Sequence, residues 1–236
     1  MKLSIIIPLF NEAGIIVSLL EELKSIKFPE FVKSHEIIVV DDASSDQSYK
    51  LVKKYAENYN NIQIIHHNNN KGKGAAVKTG IQQASGNVFM IQDADMELTP
   101  HDIPGMLEAM FDLNIEFVNG SRYLPGVVRP LSSYKRYLAN RFFTFLVSFL
   151  INVKFTDMAC GHKLIHKNLY NKIKLKENRF GFEAELIIKA LRVKRNNVTE
   201  IPVQYFPRNQ GEGKKLRNKD AFRIIWVIIK YGLFRF

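Results

Sequence analysis

Two things are nearly missing from these 236 residues: cysteine, present only as Cys160, and arginine in the first hundred positions, where there is none. One thiol cannot build an intrachain disulfide framework, and it suits a reducing compartment. Long apolar runs are missing too. The most apolar uncharged stretch, 142–153, is bounded by Arg141 and Lys154 and falls short of the roughly 20 residues a bilayer span requires. The opening run from Leu3 to Ile7 is broken at once by Pro8, Asn11 and Glu12, so it does not read as a secretory signal, and a cytoplasmic location is expected. Without repeats, low-complexity tracts or a linker, the chain reads as one catalytic-size domain over 1–215. A C-terminal amphipathic helix over 216–236 completes it.

Charge is unevenly placed. Residues 1–100 carry ten Lys against twelve acids, whereas residues 101–236 carry twenty-four Lys and Arg against eleven. The surplus behind the net charge of +11 therefore lies wholly in the second part. It points to an anionic partner: nucleic acid, a phosphorylated ligand or an anionic membrane surface. A hydrophobic content of 46% is enough for one substantial core and excludes global disorder.

Short, largely β-branched runs at Leu3–Ile7, Glu36–Val40, Ile62–Ile65 and Asn87–Ile91 have the composition of buried parallel strands. Helical spacing of apolar residues falls between them, over 12–26, 46–58 and 75–84. Alternating strands and helices predict an α/β fold with a mostly parallel sheet. Later come helices over 134–153, 180–193 and 220–234, with a strand over 198–206. The helix at 134–153 is basic at its start and crowded with Phe142, Phe143, Phe145 and Phe149; the last carries Trp226 among isoleucines. Each could face core, a second copy of the chain or a membrane surface.

Ligands of parallel sheets sit beyond the carboxyl ends of the strands, and that is where the chemically unusual residues fall. Asp93 and Asp95 follow the fourth run and offer alternate carboxylates to a hard cation such as Mg²⁺ or Mn²⁺. Asp41 and Asp42 end the second run, where an acid can accept from a ribose or base edge, while one of Ser44, Ser45 and Asp46 is expected to cap the next helix. Lys71-Gly-Lys-Gly74 resembles a phosphate cradle at a helix N-terminus, although a plain glycine turn fits equally and the Gly-Lys-Ser/Thr ending of a Walker motif is absent.

Together the segments Ile6-Ile-Pro-Leu-Phe-Asn-Glu12, Val40-Asp-Asp-Ala-Ser-Ser-Asp46, Gly72-Lys-Gly-Ala-Ala76 and Gln92-Asp-Ala-Asp95 resemble the family 2 glycosyltransferases. Gly120-Ser-Arg122, Thr156–Lys163, Gly181-Phe-Glu-Ala-Glu185 and Tyr205–Lys215 are similar to the acceptor-side motifs of the dolichyl-phosphate mannosyltransferase-like, or polyprenyl-phosphate glycosyltransferase, branch. The resemblance spans nearly the whole chain in order and spacing. It implies a single nucleotide-sugar-binding domain of the GT-A type, with a donor half over 1–122 and an acceptor half over 123–215. Pro8, Asn11, Glu12, Asp41, Asp42 and Lys73 are expected at the donor, and Asp93 and Asp95 at metal and diphosphate. Arg122, Arg208, Lys214, Lys215 and Glu185 are expected at acceptor phosphate, since guanidinium forks match phosphate bidentately.

The expected reaction is inverting transfer of a hexose from GDP-mannose or UDP-glucose to a polyprenyl or dolichyl phosphate at an anionic membrane surface. Asp157, Asp95 and Arg122 would form its catalytic set. A phosphate acceptor, with its second pKa of about 6, needs no base; a hydroxyl acceptor of a glycan or glycolipid would need one, with Asp157, Glu183 and Glu185 as candidates. Two departures stand out: paired C-terminal transmembrane helices common among relatives do not read here, and Met96 follows the acidic motif. A sugar-phosphate nucleotidyltransferase would need a glycine-rich loop that residues 8–14 lack. A nucleic-acid-binding module is disfavoured by acids converging at the strand ends, so no nucleic-acid partner is expected, while a homo-oligomer stays open.

Overall fold

In a computed structural model, residues 1–126, 133–193, 197–208 and 218–234 are described. Among them run β1 (Lys2–Leu9), α1 (Ile16–Ser25), β2 (Ser34–Asp41), α2 (Ser48–Ala56), β3 (Ile62–His66), α3 (Lys73–Gln83), β4 (Val88–Ile91), α4 (Ile103–Asp112) and β5 (Phe117–Ser121). The chain continues through α5 (Tyr134–Ile151), β6 (Lys163–His166), α6 (Lys167–Tyr170), α7 (Phe182–Val193), β7 (Val198–Pro202) and α8 (Asn218–Leu233). The seven strands lie in the order β3-β2-β1-β4-β6-β5-β7. All pairings are parallel except those of β6, which runs antiparallel to both β4 and β5.

Period-two alternation sends neighbouring residues to opposite faces. Ile5, Ile7, Ile37, Val39, Val88 and Met90 meet α1 and α4 on one side, while Ile6, Ile38, Val40, Phe89 and Ile91 meet α3, α5, α7 and α8 on the other. In α1 the buried Ile16, Leu19, Leu20 and Leu23 follow the expected helical spacing. α3 lies close against the sheet because Gly80 has no side chain: a Cβ there would approach Ile6 Cγ2 to 2.5 Å. The helix expected over 134–153 stops at Ile151, since Asn152 takes a left-handed conformation at φ 54°, a C-terminal stop that asparagine tolerates.

β5, β6 and α4 were not foreseen. The strand expected over 198–206 ends at Pro202, after which only a bridge from Tyr205 to Leu98 remains. α8 packs into the same core: its Val227 and Ile228 are wholly buried, each contributing roughly 1.5–3 kcal/mol.

Candidate active site

Because β1 to β4 are parallel, their carboxyl ends open on one side of the sheet, and the loops there are braced against one another. Asn11, left-handed at φ 56°, donates its amide to Ser44 Oγ at 2.9 Å and accepts from Ser45 N at 2.8 Å. It thus ties the β1 loop to the β2 loop. Pro8 is the penultimate residue of β1, opposite Val40, and Asp46 receives the amides of Ala13 and Ser48. Asp41, the last residue of β2, and Asp42, the first beyond it, take different partners. Wholly buried Asp41 accepts from His66 Nδ1 at 2.8 Å and from Ser44 N. Asp42 Oδ1 accepts from Lys71 N (2.9 Å) and His67 Nδ1 (2.8 Å), and its Oδ2 from Gly72 N (2.7 Å).

This arrangement corrects the phosphate-cradle alternative at 71–74. The amides that would greet a phosphate are taken by the carboxylate of Asp42, and Ala75 N donates to Asn178 O at 3.1 Å. Gly72 is required at φ 99°, where a Cβ would also run into Asn178 O at 2.5 Å. The glycine turn is therefore an internal anion nest, with its anion supplied by the chain.

At the head of α3, Lys73 reaches Asp93 Oδ1 (2.7 Å) and Glu183 Oε1 (2.8 Å). Burial alone would lower its ammonium, but the two carboxylates hold it above the ordinary lysine value. Burial would raise Asp93, and Lys73 instead holds it low. A Cβ on Gly161 would fall on the Asp93 carboxylate, so glycine is needed for this approach. Behind it, fully buried His162 donates Nε2–H to Gln92 Oε1 at 2.9 Å, because the Gln92 amide nitrogen is already donating to Asp93 O and Leu98 O. Burial pushes His162 down to about 3, keeping it neutral. Asp95 is the contrast within the motif: burial, then the neighbouring Asp93 and Glu97, push its carboxyl up to about 6. Its Oδ1 accepts from Glu97 N at 3.1 Å and its Oδ2 lies 3.4 Å from Arg208 Nη2.

Arg208 closes the site from the far end of the sequence. Its two terminal nitrogens fork onto Glu12 at 2.8 Å each. Among the described residues no group of three or more His, Cys, Asp or Glu forms a ready metal cage. Two crowded carboxylates are nonetheless the protein share that a small hard cation takes when substrate phosphates and water complete its shell. Asp93 and Asp95 fit it.

Across the site, Arg122 follows β5 and lies on Asp157. The carboxylate accepts from Arg122 N (3.0 Å), Nε (2.7 Å) and Nη2 (2.9 Å) and from Asn140 Nδ2 (2.7 Å). Burial would raise Asp157, but the guanidinium holds it below the usual carboxylate range. The Arg122 guanidinium also sits over the Tyr205 ring, 5.2 Å from its centroid. Glu200 supports this arrangement by accepting from Thr156 N and Asp157 N. Gln92, His162 and Tyr205 lie in the motifs quoted above but were given no role there, and Asn140 and Glu200 were not singled out from sequence, although a buried asparagine on the apolar helix α5 is the kind of misfit that could have flagged one of them. Glu185, expected at the acceptor, is wholly buried and accepts from Lys176 N, Glu177 N and Lys189 Nζ, pinning the turn before α7. Lys214 and Lys215 lie outside the described residues.

On the outside, α5 and α8 present exposed aromatic side chains. Phe142, Phe145 and Phe149 form a stripe on α5, with Phe149 72% exposed, and on α8 Phe222 is 74% and Trp226 61% exposed. The core alternative therefore holds for Phe143, Val227 and Ile228, and fails for this stripe. Lys135, Arg136, Arg141, Arg223 and Lys230 lie on the same two helices. Among the described residues no helix is long and apolar enough to cross a membrane.

The model of the family described as Glycosyl transferase family 2 matches residues 4–174. A dolichol-phosphate mannosyltransferase of Pyrococcus furiosus is 30% identical over 98% of this chain, which spans 64% of that protein. The Saccharomyces cerevisiae dolichol-phosphate mannosyltransferase is 28% identical over 99% of this chain and 88% of its own length. A human dolichyl-phosphate beta-glucosyltransferase is 30% identical over 91% of the chain and 69% of its own length. Among solved structures, glucosyl-3-phosphoglycerate synthase of Mycobacterium tuberculosis in complex with UDP superposes with a TM-score of 0.76 at 15% identity, covering 98% of this chain and 80% of that one. At that identity the likeness speaks for the fold alone, the GT-A type.

Proposed function

The chain belongs to glycosyl transferase family 2 and is a glycosyltransferase; from that premise we propose that it moves a hexose from a nucleotide-diphosphate sugar to a polyprenyl phosphate at a membrane surface, with inversion. The observation that carries the choice of acceptor is that every candidate base is already spoken for. Asp157 is saturated by Arg122 and Asn140, Glu183 is held by Lys73, and Glu185 by Lys189. A hydroxyl acceptor needs a carboxylate free to take its proton. A phosphate monoester, with its second pKa of about 6, arrives already charged and needs none.

In this reading the donor lies over 1–122 and the acceptor over 123–215. Asp93 and Asp95 would hold Mg²⁺ or Mn²⁺, which neutralises charge developing on the leaving diphosphate. Asp157 is a positioning residue that presents Arg122 to the acceptor phosphate, and Tyr205 keeps the guanidinium flat. The phosphate oxygen forms the new bond to the anomeric carbon as the bond from that carbon to the diphosphate breaks; no proton is transferred. The exposed aromatic stripe with its basic neighbours suits a peripheral position on an anionic membrane, where a long isoprenoid would be found. The relatives named for dolichyl-phosphate transfer support the same acceptor class.

A radiolabelled transfer assay tests this, using polyprenyl phosphate, a panel of nucleotide sugars, and Mg²⁺ or Mn²⁺, with the natural protein and Asp95→Ala. A metal-dependent lipid-linked product that disappears in the variant is expected. Product on a glycan hydroxyl, with none on polyprenyl phosphate, would overturn the proposal.

A further inference from the structure

Arg208 lies where a cation is wanted. Its guanidinium forks onto Glu12 at 2.8 Å and approaches Asp95 Oδ2 to 3.4 Å, and its side chain is only 15% exposed. The position is built. Phe206 N donates to Glu97 O at 2.8 Å, Gln204 N to Asp102 Oδ2 at 2.8 Å, and Tyr205 bridges Leu98, so residues 204–206 are tied to the segment directly after the acidic motif. Arg208 is thereby delivered over Asp95 by backbone pairing from 113 positions away in sequence (208 less 95).

We propose that Arg208 is a resident counter-ion which holds Asp95 until a divalent cation takes its place. This rests on the reading that Asp95 is a metal ligand. Three features argue for exchange at Asp95 in particular. The two carboxylates of the motif are guarded unequally: Lys73 is pinned to Asp93 at 2.7 Å by a second carboxylate, Glu183, whereas Arg208 Nη2 makes a longer ion pair to Asp95 Oδ2, at 3.4 Å. Its strong fork is to Glu12, so it can release Asp95 without becoming an unpaired buried charge. And a guanidinium 3.4 Å from Asp95 Oδ2 would repel a divalent cation bound to the same carboxylate and share its charge, so the two occupants compete electrostatically.

The test is Mn²⁺ affinity, read by the paramagnetic resonance of free Mn²⁺ without nucleotide or acceptor, in the natural protein, Arg208→Met, Glu12→Gln and the double variant. Arg208→Met should bind Mn²⁺ about three- to tenfold more tightly, the range of a partly buried ion pair removed from competition. Removing a distant positive charge would give an effect that adds independently of Glu12. A latch whose release is eased by Glu12 instead makes the two substitutions non-additive, with Arg208→Met gaining more in the Glu12→Gln background, where the guanidinium has lost its other carboxylate. Unchanged Mn²⁺ affinity in Arg208→Met, or strict additivity, would overturn the latch while leaving the metal site standing. No Mn²⁺ binding by any of the four proteins would overturn the metal reading and the latch together; binding that survives Asp95→Ala would do the same for Asp95.

Discussion

Asp42 and Asp157 are both buried aspartates beside the site, yet they do opposite work. Asp42 collects two backbone amides and an imidazole, so its region is shaped by a carboxylate standing in for an external anion. Asp157 collects a guanidinium, so its region is shaped by charge pairing. The first kind of bond sets where loops lie; the second sets where charge lies. The uneven distribution of arginine makes the division possible, because no residue before position 101 could supply a fork.

The sharpest way to break this contrast is to remove each acid. Asp157→Ala strands the Arg122 guanidinium in a buried place, and a loss of about 3–5 kcal/mol in urea unfolding is expected, together with loss of transfer. A loss under about 1 kcal/mol would mean that charge pairing does not organise the acceptor side. Asp42→Asn keeps size but turns an acceptor into a donor facing an amide; about 1–3 kcal/mol is expected, with donor KM rising more than acceptor KM. The pH dependence separates them further. Asp157 is depressed in the folded state, so its stabilisation is complete above the unfolded value of about 3.9 and drains away as pH falls through the lower folded value. Asp157→Asn and the natural protein should therefore converge in strong acid.

Asp95 carries the opposite sign. Its folded carboxyl sits at about 6, so protonation favours the folded state below that point, and the benefit is lost as pH rises through 6. A cation needs the ionised form, so Mn²⁺ affinity should be level above pH 7 and fall by about tenfold per unit well below 6. Affinity independent of pH between 5 and 7 would separate Asp95 from the metal. The smallest effect on stability belongs to the outer stripe: Phe149→Ser with Trp226→Ser should change unfolding by less than about 0.5 kcal/mol, while co-sedimentation with anionic vesicles drops. A large loss of stability would show these rings to be core.

Strands and helices whose pattern is carried by consecutive apolar residues were legible: β1 to β4 and their helices lie where periodicity puts them. β5 and β6 were not, because Asn119 breaks the apolar pattern of the first and the second is a four-residue strand that opens on Lys163; both residues are buried, Asn119 against Asp157 O and Glu200 and Lys163 against Met158 O and Cys160 O. The site was legible as an address at the strand ends. Its wiring was not: Glu12 meets Arg208 across 196 positions and Asp42 meets Gly72 across 30. A capping acid, a ligand-binding acid and a nest-filling acid look alike until those partners arrive.

The antiparallel strand β6 also dictates an order of events during synthesis. β4 is complete at Ile91, yet its outer neighbour begins at Lys163, and β5 has no partner at all until β6 and β7 emerge. A nascent chain that has released only the first 122 residues therefore carries an open sheet edge and one orphan strand. Such edges template pairing between chains, and non-local closure of this kind slows folding. Chaperone dependence should thus peak at intermediate chain lengths and fall once residue 166 has left the ribosome.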